Sequence, residues 1–169
     1  MPSDQDRLTE IHRAAAASYA SGCRDRDALV PNEDAAFLAS LGISTQVLLD
    51  YVEDFSRSGE PDLGTFVRVV EIRRDYFRTV LGGKPAGEVV PEPELPLREH
   101  SWNDIPWLPR ITKKAECFLE GSLCLDVMYG CSGDRAFLRK HALTLPGFLE
   151  AVRDADGIVE DVIAYVDKA

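Results

Sequence analysis

The chain has 169 residues, of which 45% are hydrophobic and 28% charged, a composition typical of one globular domain and unlike that of disordered segments. Its net charge of −10 is spread evenly along the sequence, which argues against nucleic acid or an anionic membrane as a partner. No stretch approaches the roughly 18 apolar residues of a membrane span. The acidic N-terminus MPSDQDRLTE does not resemble a signal or transit peptide, so a cytoplasmic location is expected.

The first half of the chain predicts four helices. An alanine-rich helix covers residues 4–21, and a second helix begins near Asn32 and ends at Gly42. Ser44 is a suitable N-cap for the third helix. The longest helix is predicted over residues 62–81, where apolar residues recur every three or four positions before a glycine pair ends the pattern.

A proline-rich connector without periodicity follows at residues 83–106. It is predicted to run extended along the surface, with Trp102 as an anchor. The connector separates a first helical region, residues 1–82, from a second one, residues 107–169. All three parts are predicted to belong to one compact domain.

The second half predicts further helices. A helical pattern returns at Trp107 and is broken by a glycine, after which residues 121–131 leave open a short hairpin or an ordered loop. The next helix begins near Asp134, another is opened by Thr144, and a last one covers roughly residues 157–167. The fold class is therefore expected to be an all-α bundle of about seven or eight helices.

The chain also resembles itself at an offset of 100 residues. Between residues 34–54 and 134–154, seven of the 21 aligned pairs are identical. Three apolar residues of the first helix meet identical partners at the same offset: Leu8 with Leu108, Ile11 with Ile111, and Ala15 with Ala115. This pattern favours an internal duplication with two pseudo-twofold halves, although two amphipathic helices can also resemble each other through shared physics. A ligand site is expected where the halves meet.

The second half carries a series of short motifs: Leu108-Pro109-Arg110, Lys114-Ala115, Gly121-Ser122-Leu123, Tyr129, Cys131-Ser132-Gly133-Asp134 and Phe137-Leu138. Together they make residues 105–166 similar to a bacterial family known as domain of unknown function 5069, with a weaker echo in residues 8–54. This chain has Ser-Gly where the family's motif has Pro-Leu between cysteine and aspartate. The resemblance implies a helical bacterial domain and carries no activity.

Three of the four cysteines stand seven residues apart, at Cys117, Cys124 and Cys131. Structural zinc sites use ligand pairs about two to four residues apart, so this spacing does not predict a metal site. A redox pair of Cys124 and Cys131 lacks the C-x-x-C spacing that activates a thiol. Free, mostly buried thiols are the expected state, and no metal or other cofactor is predicted.

The candidate ligand-binding residues are Trp107, Arg110, Tyr129, Cys131 and Asp134. Cys131 precedes a predicted helix N-terminus, which favours a thiolate, so it is either a nucleophile, a ligand contact or a structural thiol. Asp134 also has a structural interpretation, as the N-cap or a first-turn acid of that helix. Arg110 is either an anchor for an anion or the partner of a nearby acid such as Asp104 or Glu116.

The sequence therefore predicts a small cytoplasmic binding or interaction module. Its partner is expected to be a small molecule, another protein or a second copy of the chain. The alternative is a small enzyme of a bacterial pathway with a polar pocket around Tyr129, Cys131 and Asp134. A third possibility is a structural subunit that uses residues 83–106 as an arm.

Overall fold

Helices account for nearly all the regular structure of this chain. A computed structural model describes residues 1–85 and 87–169. Within these residues there are eight α-helices, one 3-10 turn and one two-stranded sheet, which confirms the predicted all-α class. The chain forms two compact units, residues 1–84 and residues 85–169.

The first unit contains four helices: α1 (Asp4–Ala20), α2 (Asn32–Ser40), α3 (Thr45–Ser58) and α4 (Leu63–Thr79). The first helix, α1, packs against both α3 and α4, and this contact organises the core of the unit. The residues buried there are mainly those of the predicted apolar stripes: Leu8, Ile11, Ala15, Leu38, Leu48, Tyr51, Val52, Phe66 and Val70.

Local capping chemistry explains where these helices begin and end. Ser44 accepts a hydrogen bond from the Val47 amide, so it caps α3 as predicted. The cap of α2 differs from the prediction, because Pro31 stands at the N-cap and Asn32 is already helical. Gly42 has a left-handed φ of 81°, and a Cβ there would lie 2.7 Å from the Phe77 ring, so glycine is required at this turn.

The second unit adds a small hairpin and a 3-10 turn to four helices. Its elements are the 3-10 turn Glu92–Glu94, β1 (Ser101–Trp102), β2 (Ile105–Pro106), α5 (Leu108–Glu120), α6 (Ser132–Lys140), α7 (Leu145–Ala155) and α8 (Val159–Asp167). Helix α7 packs against both α5 and α8, and β1 lies against α5. The core of this unit lies along α5 and α7.

For residues 121–131 the sequence allows a short hairpin or an ordered loop, and the structure has no hairpin there. Those residues form turns, with a single parallel bridge from Leu123 to Val90. The hairpin is instead built from β1 and β2, joined by Asn103 and Asp104, whose φ values are 50° and 59°. Two successive positive φ angles make a type I′ turn, and asparagine and aspartate tolerate that conformation.

The proline-rich segment that follows residue 86 is held against the second unit rather than running freely. The Val90 amide donates to the Ser122 carbonyl at 2.8 Å. Arg110 on α5 donates from Nη1 to the Pro96 carbonyl at 3.0 Å and from Nη2 to Glu92 Oε1 at 3.1 Å. These bonds give the segment a defined path despite its lack of periodicity.

Element boundaries recur at the offset of 100 residues. Helices α2 and α6 cover residues 32–40 and 132–140, and α3 and α7 begin at residues 45 and 145. A side-chain contact recurs as well: Arg7 pairs with Asp34 at 3.2 Å in the first unit. At the equivalent positions of the second unit, Trp107 donates to Asp134 at 2.9 Å. The duplication itself stays a prediction, with which these correspondences are consistent.

Candidate functional site

The second unit contains a buried polar cluster that joins α5 to the N-terminus of α6. Asp134 is fully buried, and its Oδ1 accepts from Trp107 Nε1 at 2.9 Å. Its Oδ2 accepts from Lys114 Nζ at 2.5 Å and from the Gly130 amide at 2.9 Å. Lys114 Nζ also donates to Cys131 Sγ at 3.3 Å. These five residues are called the Lys114 cluster below.

Helical spacing brings the α5 members of the cluster together. Trp107 is the N-cap of α5 and Lys114 follows seven residues later, which is about two helical turns, so both lie on one side of the helix. The indole lies directly against α6, because a Cβ at Gly133 would be 2.6 Å from the Trp107 ring. Trp107 has a left-handed φ of 73°, a strained conformation that its packing and its bond to Asp134 maintain.

The pair of charges in the cluster is almost completely removed from water. The side chains of Lys114 and Asp134 are 2% and 0% exposed. Burying an ammonium and a carboxylate is expensive unless they pair and their remaining hydrogen-bonding groups are satisfied. Asp134 meets that condition with three donors, and Lys114 has two acceptors for its three N–H groups. The cluster therefore fastens the start of α6 to the middle of α5.

Tyr129 adjoins the cluster through the neighbouring Gly130, but its hydroxyl points elsewhere. The Tyr129 hydroxyl donates to the Leu145 carbonyl at 2.8 Å, and its ring centroid is 5.5 Å from that of Phe118. The side chain is 1% exposed. Tyr129 thus helps to hold the first residue of α7 against α5.

Arg110 lies outside the cluster and is engaged with the proline-rich segment. Its acidic partner is Glu92, so an ion pair was correctly expected, but not with Asp104 or Glu116. Glu92 lies 18 residues before Arg110 in the sequence, and no local pattern identifies so distant a partner. Of the five predicted site residues, Trp107, Cys131 and Asp134 belong to the Lys114 cluster. Tyr129 only precedes its member Gly130 in the chain.

Sequence reasoning did not select Lys114, the residue that links the others. A signal was present, because Lys114 lies between Ile111, Ala115 and Phe118 on the apolar side of an amphipathic helix. A lysine on such a face is almost never buried without a partner. The partner itself, Asp134, lies 20 residues away and is identified only by the fold.

The cysteines differ in their surroundings. Cys117 is fully buried, and burial raises the pKa of its thiol, so it is a core thiol as the sequence predicted. Cys131 is half-buried at the N-cap of α6 and contacts Lys114. Cys23 and Cys124 are also half-buried, and all four thiols are free.

A groove between α7 and α8 is a second feature of this unit, and nothing in the sequence reasoning pointed to it. Its volume is about 480 Å³. Small residues and Tyr165 form its floor and charged residues its rim: Gly147, Ala151, Ala155, Ala164 and Tyr165, with Glu150, Asp154, Asp161 and Lys168. A Cβ at Gly147 would lie 3.0 Å from the Tyr165 hydroxyl, so glycine leaves room for that group.

Two further properties bear on the chemistry available. Within residues 1–85 and 87–169, no three or more His, Cys, Asp or Glu side chains are grouped so that they could hold a metal ion. No single helix in this part of the chain is both long and apolar enough to cross a bilayer. Helices α2 and α3 reach that length and composition only together, and they meet at an angle of 101°.

No protein-family model, curated protein or solved structure matches the chain. The resemblance of residues 105–166 to the domain of unknown function 5069 therefore stays a prediction.

Proposed function

We propose that this protein is a small helical binding module and that its ligand site is the groove between α7 and α8. The ligand class we propose is a small amine or guanidinium compound with a short aliphatic stem. The observation that carries the proposal is the groove itself, in which an acidic rim surrounds a floor of small side chains. Its volume of about 480 Å³ falls within the roughly 300–1,000 Å³ of small-molecule sites.

The charges of the rim favour a cation. Glu150, Asp154 and Asp161 supply three carboxylates, of which Asp154 already pairs with Arg153 at 2.9 Å, against the ammonium of Lys168. Carboxylates form their strongest hydrogen bonds with ammonium and guanidinium donors. The floor of alanines offers van der Waals contact to methylene groups, which are the other part of such a ligand.

The first unit gives a reason to regard the groove as more than loose packing. At the offset of 100 residues, Gly147, Ala151 and Ala155 correspond to larger residues: Val47, Tyr51 and Phe55. Tyr51 is 1% exposed and its ring centroid lies 5.4 Å from that of Phe66, so it fills the core of the first unit. If the halves are duplicates, the second has exchanged bulky side chains for an open surface.

Amide chemical shifts of the full-length protein would test this proposal. We expect n-butylammonium to shift the amide resonances of α7 and α8 in a saturable manner, and n-butyrate of equal chain length to leave them unchanged. Asp161 is exposed, so Asp161→Asn should weaken amine binding about threefold, which corresponds to about 0.7 kcal/mol. Glu160→Gln removes the neighbouring charge outside the groove and should change the affinity little. Equal responses to amine and butyrate, or equal effects of the two variants, would refute the proposal.

A second candidate function, a thiol-dependent enzyme, is favoured by one contact. Cys131 Sγ lies 3.3 Å from Lys114 Nζ and precedes the first residue of α6. An ammonium and a helix N-terminus are both surroundings that favour a nucleophilic thiolate.

Alkylation of the native protein tests the enzyme candidate, with Cys124 as an internal control of similar exposure. We expect iodoacetamide to modify Cys131 faster than Cys124, because Lys114 Nζ and the start of α6 lie beside its sulfur. Lys114→Arg keeps the charge and should retain most of that advantage. Peptide mapping that finds equal rates at the two cysteines would exclude a nucleophilic role for Cys131.

A further inference from the structure

The first unit contains a buried histidine that neither proposed function uses. His12 on α1 is 2% exposed. Its ring lies between Phe55 of α3, with centroids 5.3 Å apart, and Phe66 of α4, with centroids 5.2 Å apart. The Nε2 atom is buried and has no hydrogen-bond partner. The imidazole therefore stands at the junction of all three helices that form the core of this unit.

This environment accepts a neutral imidazole and opposes an imidazolium. A buried charge costs several kcal/mol unless a counter-ion or hydrogen-bond acceptors surround it. The rings from α3 and α4 supply neither, and Tyr51 stands behind Phe66 with ring centroids 5.4 Å apart. The charged group that acts on the ring is Arg13, which is also a cation. Burial first and Arg13 second lower the pKa of His12 below its usual 6.5.

We infer that His12 makes the first unit proton-sensitive: its protonation releases α1 from α3 and α4. Below the ordinary pKa of a histidine, His12 binds a proton when α1 is open but stays neutral when α1 is packed against α3 and α4. Mass action then increases the open population as the pH falls. The two other histidines have no such position, because His100 is exposed and His141 is half-buried.

The second unit supplies an internal reference. At the position equivalent to His12 it has Thr112, which is also 2% exposed and whose hydroxyl oxygen also has no partner. Threonine does not titrate, and Ala155 and Val166 stand where the first unit has Phe55 and Phe66. Helix α5 should therefore not share the pH response of α1.

One group of the first unit acts in the opposite direction. Burial raises the pKa of Asp50 on α3 to about 6. A carboxyl whose pKa is raised in the folded state stabilises that state as the pH falls. Asp50→Asn removes this opposing effect and is the proper background for the measurement.

Hydrogen exchange of full-length Asp50→Asn, corrected for intrinsic rates, measures the opening of α1 directly. Between pH 7.5 and pH 5.0 we expect the opening constant of α1 amides to rise by up to about 30-fold, since the unfolded pKa is 6.5. The α5 amides should change little. In Asp50→Asn/His12→Leu, the pH dependence of α1 should disappear.

A direct titration keeps the inference testable if His12→Leu does not fold. The ring proton resonances of the three histidines can be assigned with His100→Gln and His141→Gln. A His12 ring that titrates at or above pH 6.5, or that protonates while α1 amides stay protected, would overturn the inference. So would an equal loss of protection in α1 and α5.

Discussion

Replacing Lys114 with methionine removes the ammonium of the Lys114 cluster while keeping most of the volume of the side chain. Asp134 would then be a fully buried carboxylate without a counter-ion. It would keep two donors, Trp107 Nε1 and the Gly130 amide, both at 2.9 Å. The substitution should therefore destabilise the second unit without creating a cavity.

The structure sets the expected magnitude. Breaking a buried pair by removing one partner costs about 3–5 kcal/mol. The two remaining donors to Asp134 place the expectation at the lower end, about 3 kcal/mol. Asp134→Asn alone should also destabilise, because its NH2 group would replace one carboxylate oxygen and face either Trp107 Nε1 or the Lys114 and Gly130 donors. The double variant should lose about 1–3 kcal/mol less than the sum of the two single variants, because the groups are in direct contact.

Urea unfolding followed by tryptophan fluorescence is the appropriate assay, because Trp102 and Trp107 both lie in the second unit. Lys113→Met is the matched control. Lys113 is 41% exposed and pairs with Glu116 at 3.7 Å, so its loss should cost less than about 1 kcal/mol. Coincident urea midpoints for Lys113→Met and Lys114→Met would show that the buried pair does not hold α6 on α5.

Three further outcomes are expected. Asp50→Asn should raise the thermal midpoint of the first unit at pH 7.5 but not at pH 5. The buried Asp50 carboxyl ionises as the pH rises through its pKa of about 6, and its charge then destabilises the folded unit. Gly133→Ala should displace the Trp107 indole and shift its emission, because a Cβ would lie 2.6 Å from the ring. The helical Gly64→Ala is the control, because its Cβ would make only an ordinary 3.7 Å contact with Asp62 Oδ1. Phe148→Ala, at a position with 0% exposure, should cost about 3–5 kcal/mol in urea unfolding; losses under 1 kcal/mol would contradict the assigned core.

Much of the helical architecture follows from local signals. Apolar residues at three- and four-residue spacing identify the buried faces of α1, α3 and α4, and Ser44 marks the start of α3. The sequence leaves residues 121–131 open as a short hairpin or an ordered loop, and they form turns; the hairpin at residues 101–106 is not predicted, because the surrounding prolines indicate an extended connector. Its own signal, the pair Asn103 and Asp104, was present in the sequence, but two-residue strands have no periodicity to accompany it.

The candidate sites depend on contacts between distant parts of the chain. Three of the predicted site residues meet in the Lys114 cluster, yet Lys114 was overlooked because its partner stands 20 residues away. The groove between α7 and α8 arises from small residues on two helices. Neither helix forms a concave surface by itself, so no pattern along one of them reveals it.

The sequence by itself determined the fold class and the main helices, because spacing and capping are properties of neighbouring residues. Only the tertiary structure decided which charges are buried, which polar atoms lack partners and where a concave surface exists. Lys114 and Lys113 are adjacent in sequence, but they are 2% and 41% exposed. The side chains that other helices place around a position decide whether its charge is buried and paired. A charge without such neighbours stays solvated, whereas a buried and paired charge stabilises the fold.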